Sequence, residues 1–176
     1  MRKISLFIAM SVDGYIADSK GSVNWLEGQG DDSKNVDSYA AFIKDIDIVV
    51  MGWRTYHQIV TELSPNEWPY ENLTTYIITH NRADSSKRIR FTDANPVELI
   101  KKLRTEKGMG VWVCGGANLA QQLIAENLID YYFITVIPIL LGSGIRLFEQ
   151  GTSEIKLRLL EAKSYNGMTD LIYTRR

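Results

Sequence analysis

The stretch Val111-Trp112-Val113-Cys114-Gly115-Gly116-Ala117-Asn118-Leu119-Ala120-Gln121-Gln122-Leu123-Ile124 sets the reading of the whole chain. A short apolar run breaks at two adjacent glycines and resumes with apolar residues at helical spacing. Leu119 and Leu123 stand four apart, as do Ile124 and Leu128. The pattern predicts a buried strand, a tight turn and a helix with one apolar face. Such a junction leaves backbone N–H groups unpaired at a helix N-terminus, and glycine sets no Cβ in the way. The amides of Gly115, Gly116, Ala117, Asn118 and Leu119 therefore suit a phosphate. A plain strand-to-helix turn would read the same way, and this stretch alone leaves both open.

The 176 residues suffice for one domain, 1–176, with a sizeable core. Hydrophobic residues make up 45% and charged residues 23%, the balance of a globular protein. Lys plus Arg number 20 against 21 Asp plus Glu, a net charge of −1, so no basic field favours nucleic acid or acidic lipid. Cys114 is the only cysteine, which excludes an intrachain disulfide and points to a reducing, cytoplasmic setting. Its place before the glycines reads as a small buried residue rather than a nucleophile. With one Cys and two His no Cys/His metal site is expected, while an all-oxygen site stays open. The apolar N-terminus is superficially like an export signal, but Asp13-Gly14 breaks it early, and it is read as a first strand. No stretch is long and apolar enough to predict a membrane span.

Residues 3 to 11 read as a strand buried on both faces. A brief extension is predicted at Tyr15–Ala17, then a polar loop from Asp18 to about Asp32 carrying Trp25, Leu26 and Gly28. A helix is expected from Ser33 to about Asp45, and a buried strand from Ile46 to Met51. Gly52 ends that strand and a helix follows from Arg54 to about Glu62, a second strand–glycine–helix junction. Thr74–Thr79 and Ile89–Phe91 read as strands, and Asn95-Pro96 opens a helix through Arg104. Ile129–Ile137 is a strand closed by Pro138, and a glycine-rich loop follows at residues 140–144. Ile155–Ser164 and Thr169–Thr174 flank Asn166-Gly167, a strong hairpin signal. Repeated strand–helix pairs ending in a hairpin predict an α/β fold in three layers (α/β/α), with a mostly parallel sheet and an antiparallel C-terminal edge.

Ligands bind such sheets at the carboxyl ends of the parallel strands, so the junctions after Met51, Thr79 and Cys114 should gather there. Gly52, Arg54 and Thr55 offer a helix start, a guanidinium and a hydroxyl. Thr79-His80-Asn81-Arg82 adds a hydroxyl, an amide and a second guanidinium. Together with the glycine pair they suit a ligand bearing several phosphates, such as a dinucleotide. Neither a G-x-G-x-x-G nor a P-loop is present, so the ligand is not held in either of those ways. Arg54 and Arg82 could equally be solvated surface charges, and His80 and His57 exposed residues.

Three motifs carry a family resemblance. Ile4 through Ala17, with Ser11-Val12-Asp13-Gly14-Tyr15-Ile16-Ala17 at its end, resembles the first strand of the dihydrofolate reductase superfamily. Val50-Met51-Gly52-Trp53-Arg54-Thr55-Tyr56 is similar to its Met-Gly-x-x-Thr-aromatic motif, and Val113-Cys114-Gly115-Gly116-Ala117 to its Gly-Gly motif. With Ile137 through Phe148, the chain resembles most the reductase domain of the bifunctional riboflavin-biosynthesis deaminase-reductase and its stand-alone relatives. A Cys/His-rich deaminase domain is absent. The resemblance implies NADPH as cofactor, with Gly115, Gly116 and Ala117 at the pyrophosphate and Arg54 and Thr55 at the phosphates. It places Thr79, His80 and Arg82 near the adenosine 2′-phosphate, and Ala9 and Ile16 beside the nicotinamide. A small-molecule acceptor of the 5-amino-6-(5-phosphoribosylamino)uracil type and a homodimer through the C-terminal strands are implied as well.

The acid is where the chain departs from dihydrofolate reductases, which set a carboxylate on the first helix one turn before an aromatic. Ser38 and Phe42 have that spacing here, and Asp37 and Asp32 lie upstream. The candidate acids are Asp13, Asp32 and Asp37, and Asp13 has the competing reading of a turn residue before glycine. The rival functions are a true dihydrofolate reductase and a non-catalytic NADP(H)-binding or sensing protein.

Overall fold

Apolar runs rich in Val, Ile and aromatic residues form the strands of one sheet in the computed structural model, which describes residues 1–30, 38–81, 83–149 and 153–176. Among the described residues the order is β1 (Ile4–Ser11), β2 (Tyr15–Ala17), α1 (Ser38–Ile43), β3 (Ile46–Gly52), α2 (Trp53–Gln58), β4 (Thr74–Ile78), β5 (Ile89–Thr92), α3 (Pro96–Thr105), β6 (Gly110–Gly115), α4 (Ala117–Ala125), β7 (Tyr131–Ile137), β8 (Ile145–Arg146), β9 (Leu157–Tyr165) and β10 (Met168–Arg175). The eight-stranded sheet runs β5-β4-β3-β6-β1-β7-β10-β9. Pairing is parallel from β5 to β7 and antiparallel from β7 to β9. This is the three-layer α/β/α arrangement with an antiparallel edge that the sequence predicts.

One sheet face packs Ile4, Leu6, Val50 and Val113 against Leu99, Ile100 and Leu103 of α3 and Leu119 and Leu123 of α4. The opposite face packs Val49, Met51 and Trp112 against Phe42 of α1 and Ile59. Trp112 is the hub of that second layer: its ring lies within 6.2 Å of the rings of Phe7, Tyr39, Phe42 and Tyr70. Its indole N–H also donates to the Phe7 carbonyl at 3.2 Å.

Local chemistry sets the ends. Asn95 accepts from the amides of Val97 (2.9 Å) and Glu98 (3.3 Å) and caps α3, with Pro96 in its first turn. Asn166 and Gly167 hold φ of 46° and 74°, the left-handed pair that a two-residue hairpin turn requires. The predicted helix 54–62 divides: α2 ends at Gln58 and a π-helical turn, Ile59–Leu63, completes it. Ser64 leaves the helical region there because Pro65 follows. The helix expected from Ser33 is described from Ser38 onward, its earlier part lying outside the described residues. Strand β8 was not foreseen; two residues long, it pairs with β2.

Candidate functional site

The register brings the predicted junctions to one edge. Gly52 at the end of β3 pairs with Ile78 of β4, and Met51 with Gly115 of β6. The Thr55 hydroxyl, in the first turn of α2, lies over both glycines: a Cβ built at Gly115 or Gly116 would sit 3.7 or 3.5 Å from it. The Gly115–Gly116 peptide is cis. Gly115 has φ +137°, which explains a glycine there.

Gly116 and Gly52 have no such reason. Their φ values of −76° and −81° suit any residue, and a Cβ on either would meet nothing closer than 3.5 Å. Gly116 caps α4 without a side chain, so the amides of the first helical turn stay open to a ligand. Two neighbouring glycines that the protein itself does not need keep this stretch of backbone bare.

Beside it the sheet parts. β1 pairs with β6 only from Ile4 to Leu6, yet stays paired with β7 through Ser11. Val111 N donates to Lys3 O and Asp130 N to Ile4 O, so the odd-numbered residues of β1 turn their backbone groups toward β6. Ala9, half-buried, therefore turns its N–H and C=O toward the opening next to the glycine pair. Half-buried Ile16, on β2, lies across the following turn beside the end of β1.

The turn after β1 is tied down by Asp13. Its carboxylate accepts from Ser11 Oγ (2.6 Å), Gly142 N (2.7 Å) and Leu141 N (3.1 Å), while Ser11 Oγ accepts from Tyr15 N. The Ser11 hydroxyl, followed by the two amides, holds the carboxyl down from its ordinary 3.8 to about 2. A group so acidic has no proton to give near neutral pH, and its geometry is that of a loop tie. Because the folded pKa is the lower, the tie stabilises the protein above about pH 4 and is lost as pH falls toward about 2. The thermal midpoint of wild type should accordingly fall more across that window than that of Asp13→Asn. Parallel pH profiles would contradict this role.

One strand beyond β3, Thr79, His80, Asn81, Ala83, Asp84, Phe91, Thr92 and Asp93 line an open cavity of about 510 Å³. Thr79 is buried and its hydroxyl accepts from Asn81 N at 2.9 Å, whereas His80 is exposed. Asp84 and Asp93 make the described wall of this cavity acidic rather than basic. Arg54 is exposed on α2, and the expected second guanidinium, Arg82, lies outside the described residues. A second cavity, of about 420 Å³ and lined by Lys3, Asp130 and Arg175 among others, lies away from this edge, at the start of β1 and the end of β10. There Asp130 already pairs with Arg104 and Arg175.

On the α1 side of the sheet the structure assembles a polar group the sequence did not reveal. Asp170 of β10, 6% exposed, accepts from Thr135 Oγ1 (2.6 Å), Tyr165 Oη (3.2 Å) and Ser38 Oγ. Burial, then the neighbouring carboxylate, raises the Tyr165 pKa and keeps the phenol a donor. The one signal in the sequence was phase: Asp170 shares a strand face with Met168 and Ile172. Asp32 and Asp37 lie outside the described residues. Cys114 is half-buried rather than buried as expected, and loss of solvation pushes its thiol up to about 12, beside the Tyr70 hydroxyl.

The RibD C-terminal domain family model matches residues 2–172. The chain belongs to that family. This RibD C-terminal domain protein is 38% identical to the "Uncharacterized protein YwjB" of Bacillus subtilis (strain 168), across 99% of this chain and 98% of the relative. Among solved structures, the "Putative riboflavin biosynthesis protein" of Shewanella sp. PV-4 superposes with a TM-score of 0.83 at 27% identity, covering 99% of both chains. The diaminohydroxyphosphoribosylaminopyrimidine deaminase/5-amino-6-(5-phosphoribosylamino)uracil reductase of Thermotoga maritima gives 0.70 at 14%, covering 99% of this chain and 57% of that one. Dihydrofolate reductase from Enterococcus faecalis, complexed with NADP(H) and RAB-propyl, gives 0.66 at 16%, covering 98% and 96%. The last two establish the dihydrofolate reductase-like fold, and both are reductases by name. No described helix is long and apolar enough to cross a membrane.

Proposed function

We propose that the chain is an NADPH-dependent reductase that delivers hydride to a small heterocyclic acceptor, of the ribosylaminopyrimidine type met by 5-amino-6-(5-phosphoribosylamino)uracil reductase. The observation that carries this reading is the bare backbone at Gly52 and Gly116, glycines with no conformational or packing need of their own. The amides from Gly116 to Leu119 would hold a pyrophosphate at the start of α4, with Gly115 allowing the turn. Thr55 would add a hydroxyl donor, and Arg54 a charge at the rim. Thr79 and His80 would flank the adenosine end; since the described wall there is acidic, preference for a 2′-phosphate would fall to Arg82. Ala9 would offer its N–H and C=O to the nicotinamide carboxamide, with Ile16 beside the ring. The bound cofactor supplies hydride, and the protein supplies orientation and exclusion of water.

The exposed position of Arg54 makes a clean test. Arg54→Ala should weaken NADPH binding by about tenfold, ~1.4 kcal/mol for one charged contact at an exposed site. Equal affinity in calorimetry would remove Arg54 from the phosphate edge. We also propose a cytoplasmic homodimer formed through the C-terminal strands. Its support is that β9 is an edge strand on which Leu159 and Leu160 are 51% and 52% exposed.

A further inference from the structure

The cavity at the far edge of the sheet opens where the chain enters β1 and β7 and leaves β10. Lys3 precedes β1, Asp130 and Tyr131 lead into β7, Lys156 leads into β9, and Arg175 and Arg176 end β10; all line a space of about 420 Å³. Six residues separate Lys3 from Ala9, roughly 20 Å of extended chain at about 3.3 Å per residue. The cavity is therefore separate from the edge that gathers Gly52 and Gly115.

Charge here runs against the rest of the chain. The protein carries a net charge of −1, yet four cationic side chains, Lys3, Lys156, Arg175 and Arg176, line the cavity with two carboxylates, Asp130 and Glu154. Asp130 is already engaged, accepting from Arg175 at 2.8 Å, from Arg104 at 3.2 Å and from the Ile4 amide at 2.9 Å. One carboxylate shared between two guanidiniums leaves them a net positive charge. Glu154 meets Lys156 at 3.7 Å with the two side chains 78% and 70% exposed, a weak and screened pair. Among the described residues Lys3 and Arg176 have no ion pair.

The polar groups around Asp130 are donors, and they exceed what it can accept. Tyr132, 2% exposed, buries beside Asp130 and Arg175 a hydroxyl with no described hydrogen-bond partner, and the Arg104 Nε–H is buried in the same state. Burial raises the Tyr132 pKa, so the phenol keeps its proton. Native proteins leave few buried donors unmet, because each is costly. On the cavity wall, the Tyr131 ring lies 6.4 Å from that of Phe133 and its hydroxyl has no described bond. Arg175 donates to the Asn127 carbonyl at 2.6 Å as well as to Asp130, which fixes its guanidinium and leaves other N–H groups to donate. Cations and donors held in place around a concave space suit an oxyanion.

Size narrows the ligand. The cavity is far roomier than a bare oxyanion needs and falls within the roughly 300–1,000 Å³ of small-molecule sites. Half-buried Tyr131 and Ile155 add apolar wall beside the cations.

We propose that this cavity is a second ligand site, which takes a phosphate monoester of a small organic molecule. Lys3, Arg175 and Arg176 hold the phosphate, and Tyr131 and Ile155 face the organic part. The site stands independently of the cofactor reading.

Phenyl phosphate, inorganic phosphate and phenol are the probes, titrated into the protein with amide chemical shifts as the readout. Phenyl phosphate should bind with a dissociation constant on the order of a millimolar or tighter, several-fold tighter than inorganic phosphate, while phenol should not saturate. The shifts should centre on residues 3, 131 and 174–176, and saturating NADPH should leave them in place. Lys3→Gln combined with Arg176→Gln should weaken phenyl phosphate by about tenfold or more. The unfolding midpoint of that double variant should hold, because neither side chain has a described bond in the protein. Should it fall, Lys3→Gln alone and the wild-type shifts carry the test. Shifts confined to Gly52 and Gly115 through Leu119, equal affinity for the two phosphates, no saturable binding of either, or full affinity in the substituted protein overturns the proposal.

Discussion

Gly116→Val should lower NADPH affinity by about a hundredfold or more, ~2.8 kcal/mol, and leave the unfolding midpoint of the free protein nearly where it was. Both halves follow from the local geometry. Gly116 has φ −76° and ψ −167°, an extended conformation that valine adopts without strain, and its Cβ would stand 3.5 Å from Thr55 Oγ1, an ordinary contact. Inside the protein the added Cβ therefore meets no close contact. Toward a ligand it covers the amides at the start of α4, and losing two charge-assisted bonds worth about 1.5–3 kcal/mol each exceeds a hundredfold. Gly115→Val makes the control. At φ +137° any side chain is strained, so that variant should lose stability as well. Isothermal titration and thermal melts on the pair separate the effects. NADPH affinity retained in Gly116→Val would mean that the glycine pair is a turn and nothing more.

Trp112→Ala should cost about 3–5 kcal/mol of stability, the usual range for deleting a buried large aromatic. Trp112 is 4% exposed and meets four other aromatic rings, so the void would have little freedom to collapse. Truncation also removes the donor to the Phe7 carbonyl, at the point where β1 and β6 part. Urea denaturation should show the loss in the midpoint with little change in slope. A cost under about 1 kcal/mol would mean that the α1-side layer repacks around the gap.

The fold was legible because the two strand–glycine–helix junctions, at Gly52 and at Gly115-Gly116, repeat one local pattern, and with the remaining strand–helix pairs they imply a parallel sheet. The Asn166-Gly167 turn was legible for the same reason, since its two left-handed residues are dictated locally. The edge that gathers Gly52, Thr55, Gly115 and Gly116 follows from topology alone. Asp13 was legible as a turn residue, but its bonds to Leu141 and Gly142 cross more than a hundred residues and no spacing encodes them. Asp170 was hidden for a related reason: its partners Ser38, Thr135 and Tyr165 come from three other elements, joined only by tertiary packing. A carboxylate in a terminal hairpin reads as solvent-facing until its register is known.

Thermal unfolding of the protein alone, with millimolar NADPH and with millimolar NADH, addresses the cofactor edge with no assumption about the acceptor. A ligand that binds only the folded state must raise the midpoint, by about 2.7 kcal/mol at a hundred times its dissociation constant. A rise of several degrees with NADPH and a smaller one with NADH is the predicted result. No rise with either nucleotide would contradict the cofactor assignment at Gly52, Thr55 and Gly115 through Leu119.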